Sequence, residues 1–349
     1  MAIQKSSSSE SLFPELARTT LDEKLAINQT GKPPGWIPAK IGGNVRTRVW
    51  AVDGARVMFK RVRLSEYPDE VEIAQTLSSE QYTSDPRNHS VPFLEVLEVP
   101  GLDDTRILVM PLLYPYNYPV FKTIGEVIDY LRQIIEVRFL SPRNVKDQRD
   151  YKLNNTMAAS LDLYSQPPHP FSTTHNYDFS GIPEQRSTRT ETPINYHVID
   201  FGLSRKYASK EGNLEAPPWG GYSGFVPEFK TRKPCDPFPV DVFYLGYLIR
   251  SHFVVGTETE GPMRGMKFLD QLTLDMTANN PKARPPIDEV RDRFERLVKS
   301  LSWMELRSPA LYPKHQQWTL ARSMAHWKKQ LHFTLRRVPA IPSAPSAKT

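Results

Sequence analysis

Tyr196-His197-Val198-Ile199-Asp200-Phe201-Gly202-Leu203-Ser204-Arg205-Lys206-Tyr207 (YHVIDFGLSRKY) is the stretch from which the rest of the chain is read. Its first four residues are rich in aromatic and β-branched side chains and predict a buried strand. The strand ends abruptly at Asp200, and Gly202 just beyond allows a sharp turn. A strand that delivers a carboxylate to its end sets a hard oxygen at the margin of a cleft. Mg²⁺ suits such a place, because it prefers a carboxylate plus substrate phosphates to an all-protein cage. An ordinary strand-to-turn junction can carry the same residues, so partners elsewhere must decide between the two.

The chain has 349 residues, 39% of them hydrophobic, enough for a large core in one domain or two lobes. Its 32 prolines point to many loops. A single cysteine, Cys235, excludes an intramolecular disulfide framework and fits a reducing compartment. The opening MAIQKSSSSESLFPEL has no apolar core of signal-peptide length, and no stretch reaches bilayer-spanning length. A soluble intracellular protein, cytoplasmic or nuclear, is expected. The net charge of +6 is local: residues 301–349 hold eight Lys and Arg against Glu305, leaving 37 basic and 38 acidic residues before them. The body is nearly neutral, so nucleic acid is not an expected partner.

Residues 1–35 read as a flexible leader, with a short helix around Leu12–Ile27. From residue 36 to 112 the pattern is strands plus one helix. Val45–Val52 alternates up to the turn signal Asp53-Gly54, and Arg56–Leu64 returns. Asp69–Ser78 has helical spacing, and Val91–Val99 and Thr105–Leu112 are further strands. From 113 to 305 the pattern is mainly helical, with an apolar stripe at Ile124, Val127, Ile128, Leu131, Ile134 and Ile135. Helices are also predicted at Pro239–Phe253, Gly265–Ala278 and Pro286–Ser300. The fold class is therefore α+β, with a small β-rich lobe, a larger helical lobe and ligand between them. Residues 156–196, Pro-rich and of mixed charge, read as a flexible surface insertion.

Upstream of Asp200 stands Gln148-Arg149-Asp150-Tyr151-Lys152-Leu153-Asn154-Asn155, which resembles the protein-kinase catalytic loop H-R-D-x-K-x-x-N. Asp200-Phe201-Gly202 resembles the same family's magnesium motif. The resemblance implies a two-lobed protein-kinase-like fold that uses ATP and Mg²⁺. Asp150 would orient the substrate hydroxyl and accept its proton, Lys152 would neutralise the phosphoryl group in flight, and Asn155 and Asp200 would hold Mg²⁺. Val57-Met58-Phe59-Lys60 resembles the strand whose Lys grips the α- and β-phosphates. Gly43 and Val45 match the last phosphate-loop glycine and the valine that packs on adenine. Glu72 is the first choice for the helix carboxylate paired with Lys60, with Glu70 second, and Met110 lies near the adenine edge. Val226-Pro227-Glu228, Asp241–Gly246 and Asn280–Pro285 resemble later family segments, which implies an Arg284–Glu228 ion pair. The wording of RNHSVP, VMPLL, VPEF and CDPFPVDVFYLG is also similar to kinase-like proteins of mushroom-forming fungi.

Four departures stand against full agreement. Gln148 replaces the loop His, and Pro38 and Lys40 occupy the first two glycine positions. Lys60 and Glu72 are only 12 positions apart, and 45 separate Asn155 from Asp200. Two functions therefore stay open: a serine/threonine protein kinase acting on a protein substrate, or a pseudokinase that binds or scaffolds without turnover. Small-molecule phosphorylation is disfavoured by the peptide-platform segments. At the C-terminus, 306–349 form a basic tail in which Leu320, Met324, Trp327, Leu331 and Leu335 make an apolar helical stripe. That helix is expected to dock on the body, with a membrane or partner surface as the alternative.

Overall fold

The alternating runs around Asp53-Gly54 fold as a hairpin. Strand β2 (Arg46–Val52) pairs antiparallel with β3 (Ala55–Arg63), with Val52 opposite Ala55. The computed structural model describes residues 37–40, 46–52, 55–140, 145–146, 155–170, 172–206, 214–217, 225–257, 261–312 and 319–342. The expected leader helix at Leu12–Ile27 lies outside them. Strand β1 (Ile37–Lys40) edges β2, while β4 (Glu95–Glu98) and β5 (Thr105–Pro111) complete an antiparallel sheet of order β1-β2-β3-β5-β4.

Helix α1 (Glu70–Leu77) places Ile73, Ala74 and Leu77 on one face, all buried. Ala74 packs with Val62 of β3 and Leu108 of β5, so α1 lies on the sheet. Two acidic residues in its first turn suit the positive end of the helix dipole. A four-residue helical turn, α2 (Glu80–Thr83), follows.

The remainder is mainly helical, around one large apolar cluster. Helix α3 (Ile124–Leu140) buries the predicted stripe: Val127, Ile128 and Leu131 have no exposure, worth about 1.5–3 kcal/mol each. Helix α4 (Pro237–Ile249) begins at an Asp236 cap that accepts from the Phe238 N–H at 3.0 Å. It continues into a π-turn at Arg250–Val254. Helices α5 (Asp270–Met276), α6 (Ile287–Lys299) and α7 (Trp303–Arg307) follow, the last opened by a Ser302/Glu305 capping box. A second sheet, of order β6-β8-β9, joins β6 (Tyr114–Pro115), β8 (Thr156–Ala158) and β9 (Tyr196–Val198). Strands β7 (Val145–Lys146) and β10 (Arg205–Lys206) pair separately. The molecule is mixed α and β, as its sequence pattern predicts.

Two expectations need correction. Residues 156–196 were expected to be a flexible surface insertion, yet β8 belongs to this segment and its return leg is built into the core. Arg189, 1% exposed, donates to the Tyr116 carbonyl at 2.8 Å and to the Pro119 carbonyl and Tyr196 hydroxyl, and it stacks over Phe121. Glu126 of α3 accepts from the backbone and hydroxyl of Thr190 at 3.1 and 2.8 Å. A buried arginine requires such a set of acceptors, and hydrophobicity along the sequence does not report it.

The second correction concerns the tail. Helix α8 (Leu320–Leu335) does dock, but not through its apolar stripe. Phe333 and Gln330 are buried, whereas Leu320, Met324, Leu331 and Leu335 are exposed. Among the described residues, no helix is long and apolar enough to cross a membrane.

Candidate functional site

Strand register brings the two ends of the 156–196 segment together. β8 and β9 run antiparallel with Thr156 opposite Val198, and the Ile199 N–H donates to the Asn155 carbonyl at 2.8 Å. Asn155 and Asp200 therefore stand at the same end of one ladder, although 45 positions separate them. β9 is also tied to the chain that follows α2: Val198 N–H donates to the His89 carbonyl at 2.7 Å, and Val91 N–H donates to the Val198 carbonyl at 3.0 Å. This seam sets Asp200 beneath α1.

Asp200 has φ 70°, in the left-handed region that non-glycine residues seldom occupy. Its Oδ1 accepts from the Gly202 N–H at 3.2 Å, so the turn is closed by the carboxylate itself. A Cβ on Gly202 would stand 3.1 Å from the Tyr67 ring, which leaves little room for any other residue there. Phe201 points inward, 4% exposed, packing with Ile73, Leu77, Val91 and Met110, and edge-on to Phe93 at 6.1 Å. The strand thus anchors the turn through Phe201 and leaves Asp200 38% exposed at the rim.

Lys60 projects from the middle of β3, where it pairs in register with Leu108. Its Nζ lies 2.7 Å from Asp200 Oδ1 and also forms an ion pair with Glu70. Burial works against the ammonium, but the Glu70 and Asp200 carboxylates outweigh it and hold the Lys60 pKa above the ordinary lysine value. Burial pushes the Glu70 carboxyl up, a shift that Lys60 opposes. The result is a three-element junction of strand, helix and turn, centred on one cation.

The helix carboxylate is Glu70, not Glu72. Glu70 is 2% exposed and directed at Lys60, whereas Glu72 lies on the outer side of α1. Two residues along a helix turn the side chain by about 200°, so only one of the pair can face the sheet. The decisive signal is Ile73, Ala74 and Leu77: Glu70 shares their face at i+3, i+4 and i+7, and Glu72 does not. Met110 is 6% exposed and opposite Met58 in the β3–β5 ladder, part of the packing behind Phe201. Gly43, Val45, Asp150 and Lys152 lie outside the described residues.

A second constellation lies within the helical part, between the turn before α4 and the loop joining α5 to α6. Arg284 Nη1 and Nη2 meet Glu228 Oε1 and Oε2, each at 2.7 Å. Arg284 also donates to the carbonyls of Ala278 and Pro239 at 2.8 Å and sits over the Phe243 ring at 4.8 Å. Every prong of the guanidinium is used, so the buried charge is fully compensated.

No family model matches the chain, and no curated protein sequence matches it.

Among the described residues, no three His, Cys, Asp or Glu side chains gather as an all-protein metal site. What Asn155 and Asp200 offer is a sparse pair of oxygen-bearing residues, the kind of donor set that Mg²⁺ completes with phosphate and water. The Lys60 ammonium stands against Asp200, adding a fixed positive charge to this edge of the ladder. The donor chemistry fits a magnesium nucleotide.

Proposed function

We propose that this chain is an ATP- and Mg²⁺-dependent protein kinase of serine/threonine type, with a small β-rich lobe (36–112) and a larger helical lobe (113–305). The observation that carries this reading is the Lys60 ammonium held between Glu70 of α1 and Asp200 of the Asp-Phe-Gly turn. A strand lysine tethered at once to a helix and to a metal-binding carboxylate is arranged to hold phosphate oxygens at a fixed distance from a cation. The Arg284–Glu228 pair supports it independently, since it joins the segment resembling the end of the kinase activation segment to the late segment whose arginine the resemblance pairs with it.

Bound Mg²⁺-ATP supplies the transferable phosphoryl group and neutralises the charge that its transfer develops. The chain does the positioning. Lys60 fixes phosphate oxygens, Asn155 and Asp200 offer oxygen ligands to the metal, Asp150 orients the hydroxyl of a protein substrate and takes its proton, and Lys152 offsets charge on the moving group.

One observation favours the alternative of a pseudokinase. Pro38 and Lys40, at the first two glycine positions of the phosphate loop, are paired strand residues opposite Arg48 and Arg46. A proline there contributes no N–H to phosphate. Incubation of the purified protein with γ-labelled ATP and Mg²⁺ or Mn²⁺ separates the two: label transfer abolished by Asp150→Ala supports the kinase, and nucleotide binding without transfer supports the pseudokinase.

A further inference from the structure

Helix α8 has two faces, and the fold uses one. On the docked side Gln330 and Phe333 are buried, and His326 Nε2 donates to the Arg307 carbonyl at 2.8 Å. Arg307 donates to Gln330 Oε1 at 3.1 Å and to the Val338 carbonyl. Beyond the helix, the Ala340 carbonyl oxygen lies 2.0 Å from where a Cβ on Gly125 would stand, so the tail passes directly against α3.

On the side turned away, Leu320, Met324, Leu331 and Leu335 fall within about 60° of one another around the helix axis. They are 79%, 66%, 56% and 75% exposed. Helix α7 extends this ridge with Trp303 and Met304, 42% and 62% exposed, the Trp303 ring lying 6.3 Å from Trp327. An apolar surface gathered in this way, rather than scattered, marks a place of contact.

Charge identifies the contact. No acidic residue occurs between 306 and 349. Lys328 and Arg336 are exposed on the flank of the ridge, and Arg337 follows the helix. Two described carboxylates border the ridge: Glu191, 3.4 Å from Lys329, and the exposed Glu305 of α7, whose oxygen accepts from the Ser302 N–H and hydroxyl. A surface that is apolar along one line, cationic beside it and edged by tryptophan matches the headgroup boundary of an anionic bilayer.

We propose that α8, together with the start of α7, lies on the surface of membranes rich in anionic lipid. The docked face keeps the helix on the protein body while the Leu320–Leu335 ridge enters the headgroup region. Sixteen residues of mixed polarity lie on a membrane and do not span it. Docking on the body and contact with a membrane are thus the work of opposite faces of one helix.

The test is co-sedimentation of the full-length protein with phosphatidylcholine vesicles, with and without phosphatidylserine. The full-length protein should sediment with the anionic vesicles only, and progressively less as salt is raised. Leu331→Glu with Leu335→Glu should weaken partitioning roughly tenfold or more. The melting temperature should be unchanged, because both side chains are exposed in the fold. Absence of binding to phosphatidylserine vesicles, or binding that the double substitution leaves intact, overturns the proposal. So does self-association that the same substitution abolishes in protein that ignores vesicles, which would assign the ridge to a protein interface.

Discussion

Arg284 and Glu228, 56 positions apart, meet as a two-pronged ion pair, Nη1 to Oε1 and Nη2 to Oε2, both at 2.7 Å. The Arg284 side chain is wholly buried and that of Glu228 is 10% exposed. Removing one partner leaves the other charge stranded in a low-dielectric setting. Glu228→Gln or Arg284→Met should each destabilise the fold by about 3–5 kcal/mol. Urea unfolding of both variants and of the double substitution measures this, and the double variant should cost less than the two singles added.

Glu70 and Glu72 are separated by the same logic. On the proposed function, Glu70→Gln releases Lys60 from α1 and should reduce phosphate transfer on the order of a hundredfold. Glu72→Gln should leave transfer within about twofold, because its side chain faces outward. Steady-state kinetics on the two variants side by side decides which carboxylate matters.

Asp129 makes stability depend on pH. It is 2% exposed on α3, and burial raises its carboxyl from 3.8 to about 7 despite the Gln133 amide and the nearby Arg132 and Arg189. The neighbouring Glu126 adds to the rise. Between those two values the folded chain holds a proton that the unfolded chain has lost, so stability falls as pH increases. His197 acts in the opposite sense: burial lowers it from 6.5 to about 4, so stability falls as pH drops through that interval. Asp129→Asn keeps the Gln133 contact and removes the first effect. It should raise the melting temperature at pH 8 and leave it nearly unchanged at pH 4, as thermal scans across pH would show.

Gly125 lets the tail lie against α3. A Cβ there would stand 2.0 Å from the Ala340 oxygen, a backbone atom that cannot rotate aside. Gly125→Ala should displace residues 338–342 and expose α8 to limited proteolysis, despite alanine's better helix propensity. Resistance equal to that of the unsubstituted protein would show that the tail can shift without cost.

What the sequence reveals follows from how local each signal is. The β2–β3 hairpin, α1 and the stripe of α3 are legible because hydrophobic periodicity is a property of a few neighbouring residues. The Arg284–Glu228 pair, long-range as it is, was expected from the resemblance of two short segments. Arg189 escaped because its acceptors, the carbonyls of Tyr116 and Pro119, are backbone atoms that carry no sequence signature. The buried face of α8 escaped for a related reason: it is built from Gln330, His326 and a single Phe333, while the more apolar side faces out. Periodicity finds an apolar face, but it does not say whether the protein or something outside it covers that face.

The central claim concerns Lys60, which reaches Asp200 Oδ1 at 2.7 Å at the rim of the Asp-Phe-Gly turn. Its most direct test is phosphate transfer from γ-labelled ATP to a protein acceptor, measured for the unsubstituted chain, Lys60→Met, Asp150→Ala and Asp200→Ala with Mg²⁺ and with Mn²⁺. The account predicts transfer by the unsubstituted chain and its loss in all three variants, each of which should still fold by circular dichroism. Transfer that survives Asp200→Ala would contradict it.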